Sequence, residues 1–183
     1  MKYETLVVNL FAGPGTGKSS TMAGVFSELK WRGVNCEMAP EFAKEKVWEE
    51  STKILGNQIY IFGKQLHTLH RVMGKVDVVI TDSPLLLSII YGPHEGPCFI
   101  NLVHDVFQRF HNYNFFLRRH KAYNPSGRLQ NEQEAIELDH KIAALFAHPH
   151  GYPHCVIDSG REAVQDICDR VIQQIGSEKQ KFK

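Results

Sequence analysis

Short apolar runs, separated by longer segments of mixed polarity, set the pattern of this chain. Five runs rich in Val, Ile and Phe predict β-strands, at residues 5–11, 34–39, 76–82, 113–119 and 154–159. Their apolar positions follow one another instead of alternating, which is typical of strands covered by helices on both faces of a parallel sheet. We therefore predict an α/β fold, with a five-stranded parallel sheet flanked by helices.

Apolar residues recur every three or four positions in the segments between these strands, which predicts helices. The predicted helices cover residues 18–32, 41–55, 57–74, 97–111, 131–147 and 162–175. Residues 176–183 are mostly charged and polar, and we expect them to fray as a tail. A length of 183 residues favours one well-buried domain over two, so we expect residues 1–183 to form a single domain.

Glycines interrupt this pattern where the first strand meets the first helix. The segment reads AGPGTGKSS, with three glycines directly ahead of Lys18. Glycine backbones let successive N–H groups point into one concavity, and the start of a helix adds its positive dipole end. The spacing matches the P-loop pattern of nucleotide-binding proteins, with Ala12 in place of its first glycine.

The P-loop pattern predicts ATP and Mg²⁺ as ligands. The Lys18 ammonium supplies a full positive charge to a bound phosphate, and the Ser19 hydroxyl is a ligand for Mg²⁺. The predicted cofactor-binding residues of the loop are Gly13, Pro14, Gly15, Thr16, Gly17, Lys18, Ser19 and Ser20.

Ligands bind at the carboxyl ends of parallel strands, so the residues that follow each strand are candidates for chemistry. Asp82 follows the apolar residues of the third predicted strand, the Walker B arrangement for holding Mg²⁺. Glu41 follows the second strand at the start of a helix. A carboxylate there either complements the helix dipole or accepts a proton from an attacking hydroxyl, and the second interpretation predicts a kinase.

A basic segment follows the fourth predicted strand. Residues 118–130 place Arg118, Arg119 and Arg128 around a Pro-Ser-Gly turn. Arginine stabilises the charge of a phosphoryl group in transfer through paired hydrogen bonds, so this segment predicts an Arg-rich lid over ATP. The three arginines are alternatives for the catalytic contact, and a solvated loop is the other interpretation.

Charge and composition narrow the classes of partner. Lys and Arg (21) nearly balance Asp and Glu (20), so the net charge of +1 gives no global basic field for duplex DNA. The four cysteines form no C-x-x-C pair, and neither a signal peptide nor an apolar run approaching the ~18 residues of a membrane span is evident. We expect a cytoplasmic protein with reduced thiols and no membrane partner.

The motifs FAGPGTGKSS, EFAKEKVWE and VVITDSPLL, followed by the Arg-rich segment, occur in order along most of the chain. Together they resemble small P-loop kinases of the nucleoside and nucleotide kinase group. The particular similarity is to phage proteins of an AAA-labelled family that are related to nicotinamide riboside kinase domains.

This resemblance implies further site residues. Those expected at the acceptor, with Glu41, are Lys44, Gln58, Ser83 and Tyr123. The loop before the last helix, here Ser159, Gly160 and Arg161, is expected to contact adenine. The chain departs from the resembled kinases at Lys44, where they carry Arg, and at the tip of the third strand, where they carry Glu-Arg-Ser or Asp-Arg.

Three functions remain open from the sequence. The first is an ATP- and Mg-dependent kinase that acts on a nucleoside, a nucleotide or a nucleotide-like hydroxyl acceptor. The second is a kinase of hydroxymethylated bases or ends in DNA, which the near-zero net charge disfavours because DNA binding needs clustered Lys and Arg. The third is an ATPase switch. A small-molecule partner ranks first, while DNA and a second copy in a homodimer remain open.

Overall fold

The computed structural model describes residues 4–120, 123, 131–147 and 151–181 of the chain. Five strands form one sheet: β1 (Leu6–Phe11), β2 (Cys36–Ala39), β3 (Val78–Thr81), β4 (His111–Arg118) and β5 (His154–Asp158). All neighbours pair in parallel, in the order β2-β3-β1-β4-β5. The predicted five-stranded parallel sheet is confirmed.

Helices flank the sheet on both sides. They are α1 (Lys18–Trp31), α2 (Phe42–Trp48), α3 (Thr52–Leu55), α4 (Gln58–His70), α5 (Leu87–Tyr91), α6 (Pro97–Gln108), α7 (Glu132–Ala147) and α8 (Arg161–Lys181), with a 3₁₀ turn at Pro93–Glu95.

Two hydrophobic cores lie on the two faces of the sheet. Val8 and Leu10 of β1 point into the core formed with α1 and α8, whereas Val7 and Phe11 point into the core formed with α4, α6 and α7. Both sets of side chains are almost completely buried. Burial on both faces explains why this strand is apolar at nearly every position.

The observed helices differ from the prediction mainly in four places. The predicted helix 41–55 is two helices, because the backbone of Glu50 between them has a φ of 54° and cannot continue a right-handed turn. The predicted helix 57–74 ends at His70, ahead of Gly74 with its φ of 72°. The five-residue α5 was not predicted, because one helical turn is too short to show a periodic pattern.

The fourth difference is at the end of the chain. Helix α8 continues to Lys181, across most of the predicted tail 176–183. Glu, Lys and Gln in that segment are good helix formers, so charge alone did not indicate fraying. Residues 182–183 lie outside the described residues.

The predicted lid at residues 118–130 is described only at residues 118–120 and at Tyr123. Arg128 lies outside the described residues, and so does the Pro-Ser-Gly turn. Within the described ranges, no helix combines the length and apolar character that crossing a membrane requires.

Candidate active site

The loop between β1 and α1 has the backbone of a phosphate cradle. Gly15 has a φ of 81° and Gly17 a φ of 105°, conformations that side chains with a Cβ rarely adopt. The Thr16 hydroxyl donates a 3.1 Å hydrogen bond to the carbonyl of Gly13, which closes the loop from within. Gly17 is the N-cap of α1, so the positive end of that helix faces the loop.

Lys18 bends back over this loop. Its Nζ donates hydrogen bonds to the carbonyl oxygens of Ala12 at 2.8 Å and Gly13 at 3.2 Å. Burial lowers the pKa of Lys18, while the neighbouring carboxylates of Glu41 and Asp82 act to raise the pKa again. The ammonium is thus held at the loop by groups that favour its charged form.

Ser19 and Asp82 bring the loop and the end of β3 together. The Ser19 hydroxyl donates a 2.6 Å hydrogen bond to Oδ2 of Asp82, which is buried directly after β3. Since β3 pairs with β1, the tip of β3 necessarily lies beside the loop that follows β1. A hydroxyl and a carboxylate are the oxygen ligands that Mg²⁺ prefers, so these two residues fit the metal implied by the motif.

Glu41 lies at the same edge of the sheet. It is the N-cap residue of α2, and its backbone N–H donates a 3.0 Å hydrogen bond to Oδ1 of Asp82. Burial raises the pKa of Glu41, the charge of Asp82 adds to that rise, and Lys18 opposes it. This carboxylate therefore has a greater tendency to bind a proton than an exposed one.

Gln65 of α4, which the sequence analysis did not select, fixes the turn that carries Glu41. Its side-chain oxygen accepts a 3.3 Å hydrogen bond from the backbone N–H of Phe42. Its amide nitrogen donates to Oγ1 of Thr81 at 3.3 Å and to the carbonyl of Ala39 at 3.4 Å. A glutamine at a buried helical position, among Ile61, Phe62 and Leu69, was the available signal.

A cleft of about 450 Å³ runs from the phosphate loop to α2, α4 and α5. Six of the eight predicted loop residues line it, whereas Gly13 and Thr16 are buried behind the loop. The other predicted residues that line it are Glu41, Lys44, Gln58, Asp82 and Ser83. The structure thus brings four of the five predicted acceptor residues, all but Tyr123, into one continuous space with most of the phosphate loop.

Two further polar residues of this cleft come from α5. Ser88 and Tyr91 line it, and neither was selected as a site residue, because α5 itself was not predicted. Burial raises the pKa of Tyr91, with smaller contributions from Glu41 and Asp139, so its phenol stays protonated. Gln58 is held in the wall by a 2.7 Å hydrogen bond from its amide nitrogen to the carbonyl of Leu55.

The two described arginines of the basic segment take different places. Arg118 forms a paired contact with Asp158 of β5, at 2.7 Å and 2.9 Å, and its side chain is 59% exposed. Arg119 is 14% exposed and donates a 2.9 Å hydrogen bond to the carbonyl of Pro14 in the phosphate loop. Of these two candidates, Arg119 is the one that lies beside the loop predicted to bind the phosphates.

The remaining candidates lie at the edges of the site. The Tyr123 ring covers Gly15, since a Cβ built on that glycine would come within 2.8 Å of the ring. Gly160 lies between β5 and α8, Arg161 begins α8, and neither is among the residues that line the cleft. The Ser159 hydroxyl beside them is buried and has no hydrogen-bond partner among the described residues.

Solved structures share this fold at low sequence identity. The crystal structure of NadR protein in complex with NR superposes with a TM-score of 0.65 at 14% identity and covers 94% of this chain. This chain spans only 52% of the length of that NadR chain.

Deoxyadenosine kinase from M. mycoides is a second structural relative. Its structure with bound dCTP has a TM-score of 0.54 at 15% identity, and the match covers 94% of this chain and 100% of that one. Its structure with the products dCMP and a flexible dCDP has a TM-score of 0.53 at 15% identity, and the match covers 93% of this chain and 99% of that one. At such identities these relatives show the fold alone, which is that of small P-loop kinases.

Sequence comparison gives the family. No curated protein matches the chain in sequence. The AAA_28 family model, described as an AAA domain, matches residues 7–165, from β1 into α8. The chain therefore belongs to this AAA-domain family.

Proposed function

We propose that this chain is an ATP- and Mg-dependent kinase that phosphorylates a hydroxyl of a nucleoside, a nucleotide or a similar small molecule. The observation that carries the proposal is the position of Glu41, which lines the same cleft as Lys18, Ser19 and Asp82. A kinase needs a proton acceptor beside its phosphate site, whereas an ATPase needs only a place for water.

The phosphate side of this reaction belongs to the loop. Its N–H groups and Lys18 would bind the β- and γ-phosphates of ATP, and Ser19 and Asp82 would hold the metal. Bound Mg²⁺ would neutralise charge on the phosphate oxygens during transfer. Arg119, beside Pro14, is the described arginine placed to stabilise the transferred group.

Glu41 then activates the acceptor. Its carboxylate takes the proton of the acceptor hydroxyl, whose oxygen forms a bond to the γ-phosphorus. The bond from that phosphorus to the β–γ bridging oxygen breaks, and ADP leaves. The raised pKa of Glu41 brings its proton affinity closer to that of the hydroxyl in the transition state, which favours transfer of the proton.

The remainder of the cleft suits an acceptor of nucleoside size. The whole cleft, phosphate loop included, has a volume of about 450 Å³, which lies within the range of small-ligand sites, roughly 300–1,000 Å³. Gln58, Ser88 and Tyr91 offer hydrogen-bonding groups in its wall, and Ile61 and Leu87 offer apolar surface. Two structural relatives, NadR protein in complex with NR and deoxyadenosine kinase with bound nucleotides, support an acceptor of this class.

An acceptor panel tests the proposal. The protein is incubated with Mg²⁺ and ATP that is radiolabelled in its γ-phosphate, with nucleosides, nucleotides, nicotinamide riboside and hydroxymethylated DNA offered separately. We expect label in a small-molecule product and none with Lys18→Ala. Label in DNA alone would favour the DNA-modifying alternative, and release of free phosphate without acceptor labelling would favour an ATPase switch.

A further inference from the structure

Asp139 of α7 binds the phosphate loop and Arg119 at the same time. Its Oδ1 accepts a 2.5 Å hydrogen bond from the backbone N–H of Gly13. Its Oδ2 accepts hydrogen bonds from Nε of Arg119 at 3.0 Å and from Nη2 at 2.8 Å. No motif pointed to this residue, which is 126 positions away from Gly13 in the chain.

The contact between α7 and the loop is close. A Cβ atom on Gly13 would come within 2.6 Å of the carbonyl oxygen of Ala135 and within 2.7 Å of Asp139 Oδ1. Only glycine fits at that point, so α7 packs directly on the backbone of the loop. A change in the position of Asp139 would therefore displace both the loop and Arg119.

A carboxylate at this place needs a reason, because a negative charge beside a phosphate site opposes binding of the anion. The side chains of Asp139 and Arg119 are each only 14% exposed, so their charges are weakly screened. The pair is neutral as a unit. The carboxylate fixes the orientation of the Arg119 side chain, because two hydrogen bonds to one oxygen fix the plane of the guanidinium.

Not all of the N–H donors of Arg119 are used by Asp139 and the phosphate loop. A guanidinium carries five N–H groups, and Nε and Nη2 are used on Asp139 and on the carbonyl of Pro14. Nη1 is buried and has no hydrogen-bond partner among the described residues. It lies 3.3 Å from the position that a Cβ of Gly15 would take, at the apex of the phosphate loop.

We propose that Asp139 is a positioning residue, which orients Arg119 so that Nη1 is presented to the γ-phosphate of ATP. This inference rests on the proposed function for its kinetic consequence. It adds a residue outside the loop and the acceptor cleft to the reaction, and that residue acts through Arg119 without touching substrate.

Charge and geometry at this position can be changed separately. Asp139→Asn keeps the size of the side chain and an acceptor for Gly13, but it loses the charge that holds Arg119. Asp139→Glu keeps the charge and moves it by one methylene, and it serves if the Asn variant does not fold. The matched control is Asp166→Asn, which breaks an arginine–aspartate pair on α8, between Asp166 and Arg170 at the surface.

Steady-state kinetics give the first readout. Asp139→Asn and Asp139→Glu should each lower kcat about 10- to 100-fold relative to Asp166→Asn and also raise KM for ATP, because the γ-phosphate loses its contact with Arg119. In the background of Arg119→Ala, Asp139→Asn should cause almost no further loss, because the two residues act as a unit. A kcat equal to that of the control, or a loss that adds fully to that of Arg119→Ala, would overturn the inference.

Nucleotide binding gives a readout that does not depend on finding an acceptor. We expect the wild type to bind the analogue with an imido group between the β- and γ-phosphorus more tightly than ADP, by isothermal titration calorimetry. Asp139→Asn should reduce that preference about tenfold, because one charged hydrogen bond to the γ-phosphate is lost. An unchanged preference overturns the role of Asp139, whereas absence of acceptor labelling by the wild type overturns only the kinase.

Discussion

The Ser19 hydroxyl donates a 2.6 Å hydrogen bond to Oδ2 of Asp82, and Oδ1 of the same carboxylate accepts the backbone N–H of Glu41. One buried aspartate thereby joins the phosphate loop, the tip of β3 and the turn before α2. The metal ligands and the proton acceptor that we propose are positioned by the same side chain. A substitution of Asp82 should therefore weaken the binding of Mg²⁺ more than it weakens the binding of the nucleotide.

Asp82→Asn tests this expectation. The amide keeps the shape and an acceptor for Ser19 but loses the charge that attracts Mg²⁺, so turnover should fall about 10- to 100-fold. The Mg²⁺ concentration for half-maximal rate should rise, while affinity for metal-free ATP changes little. A titration of the rate with Mg²⁺ measures both effects. An unshifted Mg²⁺ midpoint, equal to that of Asp166→Asn, would exclude Asp82 from the metal site.

Gln65→Leu removes the side chain that holds the Glu41 turn. The backbone N–H of Phe42 loses its partner at a partly buried place, and the Thr81 hydroxyl keeps its bonds to Ala39 and Ser83 but loses the one from Gln65. The free energy of unfolding should therefore fall by about 1–3 kcal/mol. Urea denaturation measures this loss. Gln133→Leu on the exposed face of α7 is the matched control, and equal stability of the two variants would contradict the assignment.

We expect the four cysteines to differ in reactivity according to their burial. Burial raises the pKa of Cys168 to about 12, and burial also raises the pKa of Cys36. Because the thiolate is the reactive form, a disulfide reagent at mildly alkaline pH should modify Cys98 and Cys155 in the folded protein and the other two only after unfolding. Mass spectrometry of the labelled protein identifies the sites, and rapid labelling of Cys168 would contradict its packing.

The raised pKa of Cys168 also makes the stability of the protein depend on pH. The folded state binds the thiol proton of Cys168 more tightly than the unfolded chain, whose thiol titrates near 9.0. This contribution to stability is complete below about pH 9 and is lost as the pH rises toward about 12. The melting temperature should fall over that interval, and less steeply in Cys168→Ala.

The sheet and the phosphate loop were predictable because both are encoded locally. The strands are continuous apolar runs, and the loop requires glycine at the positive φ angles of Gly15 and Gly17. Glu41 and Asp82 could be selected because each directly follows a strand. These residues then met at one edge of the sheet because parallel strands all end there.

The supporting residues could not be selected in this way. Gln65 and Asp139 act through contacts with distant segments, and the sequence around Asp139, IELDHKI, reads as an ordinary exposed helix. The break at Glu50 depends on one backbone angle. Such features follow from tertiary packing, which overrides local propensity.

Glu41→Gln tests the central claim, since only transfer to a hydroxyl acceptor needs a proton acceptor at this position. The amide keeps the size and hydrogen bonding of the side chain but cannot take the proton, so kcat for the acceptor found in the panel should fall about 10²–10⁴-fold. Binding of ATP and of the acceptor, measured by calorimetry, should be largely kept. Glu45→Gln, one turn further along α2 and exposed, is the matched control.

The decisive measurement is therefore single-turnover transfer of the labelled γ-phosphate from ATP to the acceptor, in the wild type, Glu41→Gln and Glu45→Gln. The proposed mechanism predicts a loss of about 10²–10⁴-fold in Glu41→Gln alone. Equal transfer rates in all three proteins would contradict it and would remove Glu41 from the chemistry.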